Sequence, residues 1–281
     1  MKDHYNTNEL VSVIIPCFNH GVFLEEAVNS VLNSNYSPIE IIIVDDGSYD
    51  NTLEVASDIM HKYHNVSYYY QSNQGPSVAR NNGISKANGF FILPLDADDK
   101  ISDKYIAQAV KKLKSDKEIK IVYCNAEMFG LKNGPWKLKD FSKRRIASHN
   151  MIFSCAMFRK NDWQKVGGYS TELKYCDEDW EFWISLLKTG GYAYRLQSVG
   201  FYYRILPDSR SRSMTKETKK SAMEFINRKH HSFMVSQLKG PLRTHRSLSV
   251  LINTFSNLFG MFKITPKELY YDESGSQRIH Y

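Results

Sequence analysis

The sequence predicts an α/β fold on a doubly wound, mainly parallel sheet, and three features carry that prediction. Short apolar runs recur at Val11–Pro16, Ile39–Val44 and 90–95, with the density of strands buried on both faces. Segments of helical period separate them. Acidic clusters stand where the second and third runs end, which is where open α/β sheets bind ligands.

Val11–Pro16 stops at a proline and reads as the first strand. A helix follows with Phe23, Leu24, Ala27, Val28, Val31 and Leu32 on one face. Glu25 and Glu26 are expected in its first turn, where the helix dipole favours negative charge. Ile39–Val44 is a second strand, ending in Asp45-Asp46-Gly47-Ser48. A second helix is expected from about Asn51 to His61, and a third strand over Val66–Tyr70. Small residues and a short helix through Val78, Ala79, Gly83 and Ile84 lead into the strand at 90–95. A helix over Tyr105–Leu113 and a strand near Ile119–Cys124 complete an alternating βαβ order, the signature of a parallel sheet. Residues 130–150 are basic, contain Gly134-Pro135 and read as a long loop over a site. The core resumes at Met151–Phe158, turns at Gly167-Gly168-Tyr169 and continues as a helix over Trp180–Leu187. After about Lys216 the chain reads as helical again.

The chain has 281 residues and a net charge of +7, with the basic excess in 137–145, 204–220 and 228–246. Such patches suit a nucleotide diphosphate, a phosphorylated acceptor or an anionic membrane. No zinc-finger or RNA-recognition signature accompanies them, so no nucleic-acid partner is expected. Cys17, Cys124, Cys155 and Cys176 form no CxxC pair and read as buried reduced thiols. Residues 1–8 lack the apolar core of a secretory signal, and no stretch reaches the roughly 20 apolar residues of a membrane span. A cytoplasmic protein is expected.

The run Phe90-Phe91-Ile92-Leu93-Pro94-Leu95 ends in Asp96-Ala97-Asp98-Asp99. Adjacent carboxylates are not buried without partners, so the cluster must meet water, a cation or both. An oxygen-only set suits Mg²⁺ or Mn²⁺ held with substrate phosphates. The plain alternative is an acidic turn capping the next helix. A second cluster, Asp45/Asp46, at the end of another strand favours a nucleotide: one carboxylate for base or ribose, the other for metal on a diphosphate. Neither GxGxxG nor GxxxxGK[ST] occurs, which counts against dinucleotide oxidoreductases and P-loop enzymes. A third cluster, Asp177-Glu178-Asp179, either caps the helix after it or supplies a base of raised pKa beside Trp180 and Trp183.

Five segments follow one another in order: Val-Ser-Val-Ile-Ile-Pro-Cys-Phe-Asn (11–19), Ile-Ile-Val-Asp-Asp-Gly-Ser-Tyr-Asp-Asn-Thr (42–52), Asn-Gln-Gly-Pro-Ser-Val-Ala-Arg-Asn-Asn-Gly (73–83), Leu-Asp-Ala-Asp-Asp (95–99) and Glu-Asp-Trp-Glu-Phe-Trp (178–183). Together they resemble an inverting glycosyltransferase of family 2 with the Rossmann-like GT-A fold, over about residues 10–211. The resemblance implies a catalytic domain over 1–215, with a nucleotide-sugar half at about 10–125 and an acceptor half at about 126–215. A C-terminal helical extension would occupy 216–281. It implies that Pro16, Phe18 and Asn19 wall the base pocket, and that Asp46 with Asp45 bonds base or ribose. Arg80 would lie near the nucleotide and Asp96 near the ribose and donor sugar. Asp98 would ligate Mn²⁺ or Mg²⁺, with Asp99 orienting the loop. Asp179 would be the catalytic base, with Glu178 and Trp180 at the acceptor.

One position departs from the pattern. Leu206 stands where family members often carry a metal-ligating histidine, in Tyr203-Arg204-Ile205-Leu206-Pro207-Asp208. The metal would then rest on Asp98, diphosphate and water, or on Asp208, or Arg204, Arg210 or Arg212 would neutralise the diphosphate instead. The implied partners are a nucleotide diphosphate sugar, expected to be a UDP-sugar, and a glycan or lipid-linked acceptor, in bacterial surface polysaccharide synthesis. Two rivals are a nucleotidyltransferase, disfavoured because 11–23 has one glycine and no Lys or Arg, and an inactive glycan-binding module, disfavoured by intact Asp98 and Asp179. In the extension, apolar residues of 242–263 interleave with Arg243, His245, Arg246 and Lys263. They are expected either to pack on the protein or another copy, or to touch the inner face of a membrane.

Overall fold

The computed structural model describes residues 9–174, 176–207 and 214–258, with the backbone of two short strands at 270–271 and 277–278. Strands β1 (Val11–Cys17), β2 (Ile39–Asp45), β3 (Val66–Tyr70) and β4 (Phe91–Pro94) lie in the order β3-β2-β1-β4, all parallel. Val11, Val13, Ile14, Ile15, Ile41 and Ile43 are wholly buried, as apolar runs covered on both faces must be. Helix α1 (Gly21–Leu32) buries Leu24, Ala27, Val28 and Val31 at helical spacing and packs on α2 (Thr52–Lys62). It starts at Gly21, earlier than expected, so Glu25 and Glu26 fall beyond its first turn. Glu26 pairs instead with Lys100 and Arg204. Helix α3 (Pro76–Lys86) packs against β1 and β2 through Gly83. A Cβ there would come within 2.5 Å of Ile14 Cγ2, so only glycine permits this approach.

Beyond β4 the sheet is mixed. Its order continues β8-β6-β9-β5, with β5 (Lys100–Ile101), β6 (Ile119–Gly130), β8 (Met157–Arg159) and β9 (Tyr192–Ile205). Strand β8 is antiparallel to both β4 and β6, β5 is antiparallel to β9, and the long β6–β9 ladder is parallel. The sheet is thus mostly parallel, with short antiparallel insertions. The expected loop at 130–150 contains β7 (Gly134–Trp136), which pairs back on β6, and the single turn α5 (Lys143–Ile146). Helix α4 (Tyr105–Ser115) packs on β6 and β9. Helix α6 (Lys160–Val166) packs against α7 (Glu178–Leu187). The architecture is that of the Rossmann-like GT-A fold.

The helical extension is present as α8 (Lys216–Lys229), α9 (His231–Leu238) and α10 (Ser249–Leu258). Thr215 caps α8 by accepting from the Thr218 amide. Ile226, Phe233, Met234, Leu238 and Leu242 join the same hydrophobic core as the strands. All four cysteines are buried thiols outside any disulfide.

Candidate active site

The carboxyl ends of β2, β1 and β4 lie side by side, because Cys17 is in register with Asp45 and the Leu95 amide donates to Ile14 O. At the end of β1, Pro16 is half-buried, Phe18 is exposed and edge-on to Tyr49, and Asn19 adopts φ 55°. Asn19 is held there by both polar ends: its amide donates to Ser48 Oγ and its Oδ1 accepts from the Tyr49 amide, each at 2.9 Å. Asp45 is buried and accepts from Tyr68 Oη at 2.7 Å and the Ser48 amide at 2.8 Å. Asp46 accepts from Gln71 Nε2 at 2.7 Å and from the Gln74 and Gly75 amides at 2.8 Å. Both carboxylates therefore set the shape of the loops leading into α2 and α3.

At the end of β4, Asp96 points toward a fully buried arginine. Arg80 Nη2 donates to Asp96 Oδ1 at 2.7 Å and Nη1 to Glu178 Oε1 at 3.1 Å. Its Nε has no protein partner, and its guanidinium lies 5.7 Å from the Tyr169 ring centroid. One cation on α3 thus joins the end of β4 to the start of α7. Ser154 Oγ also donates to Asp96 Oδ2 at 3.1 Å. Asp99 is buried, accepts from the Arg204 amide at 2.8 Å, and holds the loop against β9. Burial, then Asp98 and Asp96, push the Asp99 carboxyl well above its ordinary range.

Asp98 lies 3.8 Å from His20 Nδ1, at the N-terminus of α1. Burial raises its pKa while His20 opposes the rise. Histidine here was not singled out from sequence, and its only signal was its place directly after Asn19. Among the described residues no group of three His, Cys, Asp or Glu gathers as a metal cage. Asp98 and His20 supply two donors, which fits an ion completed by substrate phosphates and water. Arg204 is engaged elsewhere: its Nε donates to Asp98 O, its Nη2 pairs with Glu26, and it lies over Phe23 and Phe129. Asp208, Arg210 and Arg212 lie outside the described residues.

The third cluster opens α7. Asp177 takes φ 60°, the left-handed conformation, as the residue before the helix. Asp179 is half-buried, and its Oδ1 accepts from the Trp180 amide at 2.6 Å. Its pKa is raised to about 7, by burial first and then by the Glu178 charge, with Arg80 opposing and Asp177 adding. Trp180 is fully buried with Nε1 donating to Ile146 O at 2.6 Å, and Trp183 donates to Ile152 O at 3.1 Å. Trp180, expected to face an acceptor, is therefore enclosed in the core, because an indole with its one donor satisfied by backbone has no open face here. Glu178 is likewise buried against Arg80, so its carboxylate serves that ion pair.

The site also depends on residues far along the chain. Arg246 Nη2 donates to Asp177 Oδ2 at 3.2 Å, and its guanidinium lies 4.6 Å from the Trp180 ring. One turn into α7, buried Glu181 accepts from Ser170 Oγ at 2.5 Å, His230 Nε2 at 2.6 Å and Ser185 Oγ at 2.8 Å, and pairs with Lys229 at 3.1 Å. None of these partners carries a local sequence signal.

Comparison with known proteins bears on the family and the fold. The model of the family "Glycosyl transferase family 2" matches residues 12–180, more than half of the chain. An uncharacterized glycosyltransferase of Rickettsia typhi is 31% identical over 213 residues, 72% of this chain and 64% of that protein. The hyaluronan synthase of Pasteurella multocida is 28% identical over 66% of this chain, which spans only 20% of that enzyme. Among solved structures, S. aureus TarS 1–349 in complex with UDP-GlcNAc superposes with TM-score 0.69 at 20% identity, covering 92% of this chain and 77% of that one. A mannosyltransferase of Pyrobaculum calidifontis in complex with GDP-Man and Mn²⁺ gives 0.64 at 14% identity, covering 93% and 77%. With five motifs in order, the GT-A fold around them and a family model that matches residues 12–180, the chain belongs to glycosyl transferase family 2.

Proposed function

We propose that the protein moves one sugar from a nucleotide diphosphate sugar, read as a UDP-sugar, to a hydroxyl of a glycan or lipid-linked acceptor, with inversion. The observation that carries this reading is Asp179: a half-buried carboxylate whose pKa is raised to about 7, tied through Glu178 and Arg80 to the strand-end carboxylate Asp96. A base near neutrality accepts a proton as the acceptor oxygen attacks. The displacement is in line, so the base and the leaving diphosphate lie on opposite faces of the sugar, and no covalent enzyme intermediate forms. Phe18 offers an exposed ring to the base, and Asp45, Asp46 and Asn19 fix the loops around it.

Asp98, with His20 beside it, would hold Mn²⁺ or Mg²⁺. Such an ion, when bound, neutralises charge on the departing diphosphate. Arg80 fixes Asp96 and Glu178 by donating to both carboxylates. UDP-GlcNAc in TarS and GDP-Man in the Pyrobaculum enzyme support a nucleotide-sugar donor in this fold. Hyaluronan and chondroitin synthases among the relatives support a role in surface polysaccharide synthesis, whether the sugar is a hexose or an N-acetylhexosamine.

The test is to incubate the purified protein with a panel of nucleotide sugars and read release of nucleoside diphosphate, with and without Mn²⁺. Release from one donor class is expected. Synthesis of a nucleotide sugar from a nucleoside triphosphate and a sugar phosphate would instead establish a nucleotidyltransferase. No turnover of any donor would leave a binding module.

A further inference from the structure

Helix α10 presents its faces in reverse. Ser249 and Asn253 point inward and are buried, while Leu251, Phe255 and Leu258, with Leu248 in the 3₁₀ turn (Arg246–Leu248) directly before the helix, are 47–74% exposed. The 3-4-3 spacing of these four places them on one stripe. A helix resting on a protein core buries such a stripe. Here the buried polar face is itself a fixed joint: Asn253 Nδ2 donates to Leu238 O at 3.0 Å and Pro241 O at 2.9 Å, and its Oδ1 accepts from Arg243 Nε at 2.8 Å. The outward direction of the apolar stripe is therefore held by hydrogen bonds on the opposite side.

The charge along the segment that carries the stripe has one sign. Residues 225–258 contain no Asp or Glu, but hold Arg228, Lys229, Lys239, Arg243 and Arg246, with His231 and His245. Lys239 and His245 are exposed at opposite ends of the helix: His245 lies just before its start, and Lys239 lies near its end, where its carbonyl accepts from Asn257 Nδ2 at 2.9 Å. In sequence the acid-free stretch runs on to Lys267.

We propose that α10 seats on an anionic bilayer, with the four apolar side chains at the acyl boundary and Lys239, Arg243 and His245 among the headgroups. Charge decides against a second copy as the occupant. A two-fold contact would set this acid-free basic segment against itself. A surface of lipid phosphates complements it.

The placement has a consequence for access to the site. Arg246, just before α10, is bonded to Asp177 at the start of α7, which carries Asp179. A seated α10 brings the base end of the site to the membrane surface, where a lipid-linked acceptor would present its hydroxyl. This last step rests on the function proposed above; the docking does not.

The experiment is flotation of the full chain with vesicles of phosphatidylcholine alone or mixed with phosphatidylglycerol, alongside Leu251→Glu/Phe255→Glu. Both side chains are exposed, so the thermal midpoint and donor hydrolysis of the variant should match the wild type. The wild type should float with anionic vesicles, less with neutral ones, and less again at high salt. The variant should lose about tenfold or more in partitioning, as expected for two large apolar contacts replaced by charge. A wild type that never floats, or a variant that floats equally well, overturns the proposal. So does a wild-type dimer by light scattering that the variant converts to monomer, which assigns the stripe to a second copy. A chain ended after Leu258 that floats where the full chain does not assigns it to residues 259–281, and also overturns it. Donor hydrolysis measured in parallel separates failure of docking from failure of the enzymatic reading.

Discussion

Asp179 gains its character from burial first and then from neighbours of the same sign. Burial and the charges of Glu178 and Asp177 lift its pKa to about 7, and Arg80 limits the rise. A base acts only when unprotonated, so turnover should climb with pH through about 7 and level off above it. Asp179→Asn should remove that limb and lower kcat by roughly 10² to 10⁴, the range for loss of a general base, with donor affinity nearly unchanged. Rate and affinity measured across pH check both halves; lost affinity with intact chemistry would give Asp179 another role. At the other carboxylate, Asp98→Ala should abolish stimulation by Mn²⁺ and weaken nucleoside diphosphate far more than nucleoside. Calorimetry of the two ligands with and without metal decides it, equal losses marking a structural role. The strand-end carboxylates Asp45, Asp46, Asp96 and Asp98 were legible as strand ends because acids interrupt the apolar runs before them, although Asp45 and Asp46 are buried, each with hydrogen-bond partners of its own. His20 was not, since a lone histidine before a helix says nothing of the loop it will face.

Helix α7 is fixed at two levels by the extension. At its start Arg246 holds Asp177 in the left-handed conformation, and one turn on Glu181 sits among Ser170, Ser185, Lys229 and His230. Burial opposes ionisation of Glu181, but His230, Lys229 and Ser170 prevail and lower its pKa from 4.5 to about 2. Burial lowers the pKa of His230 in turn; its Nε2 lies 2.6 Å from Glu181 and its Nδ1 has no hydrogen-bond partner. The sign follows from linkage. The unfolded chain binds protons first as pH falls below about 4.5, so stability from Glu181 is full above that value and lost toward pH 2. The shift corresponds to roughly 3 kcal/mol. Glu181→Gln should destabilise the protein at pH 7 and flatten the acid limb of its stability curve between those values. Glu181→Ala, which strands Lys229 and His230, should cost about 3–5 kcal/mol. Urea titrations at several pH values read both. The helix itself was legible from Trp180–Leu187, but its anchors were not, because they lie 48 and 49 residues away from Glu181 in sequence.

At the scale of the molecule, the β1-to-β4 half could be read directly because β1, β2 and β4 are near-continuous apolar runs and helices of clear period follow β1 and β2. The rest resisted for physical reasons. Strand β9 carries Arg195, Gln197, Ser198 and Arg204, so it lacks that run, and its ladder with β6 shifts register around Asn125. Strand β8 has three residues, and Arg159 secures its end by donating to the carbonyls of Ile119, Leu113 and Asp116. The membrane alternative for 242–263 also divides in two. Leu242 is buried in the shared core while Leu248, Leu251, Phe255 and Leu258 face out, and residues 259–263 lie outside the described part.

The extension bears on how the molecule unfolds. Sequence suggested a catalytic domain closing near residue 215, yet Ile226, Phe233, Met234, Leu238 and Leu242 lie in the core that the strands build. Each buried side chain of this size contributes about 1.5–3 kcal/mol, so the five together rival the 5–15 kcal/mol that holds a typical domain folded. We therefore propose that the two segments form one cooperative unit. The full chain should melt in a single calorimetric transition whose van't Hoff and calorimetric enthalpies agree. A chain ended after Thr215 should be insoluble or melt at least about 10 °C lower, and should lose the acid-dependent stability of Glu181, whose partners it lacks. Two separate transitions in the full chain, or a truncated chain with the same midpoint, would show that residues 216–258 are an independent appendage. In that case α7 would be stable without its anchors, and Arg246→Ala should leave the pH dependence of turnover unmoved.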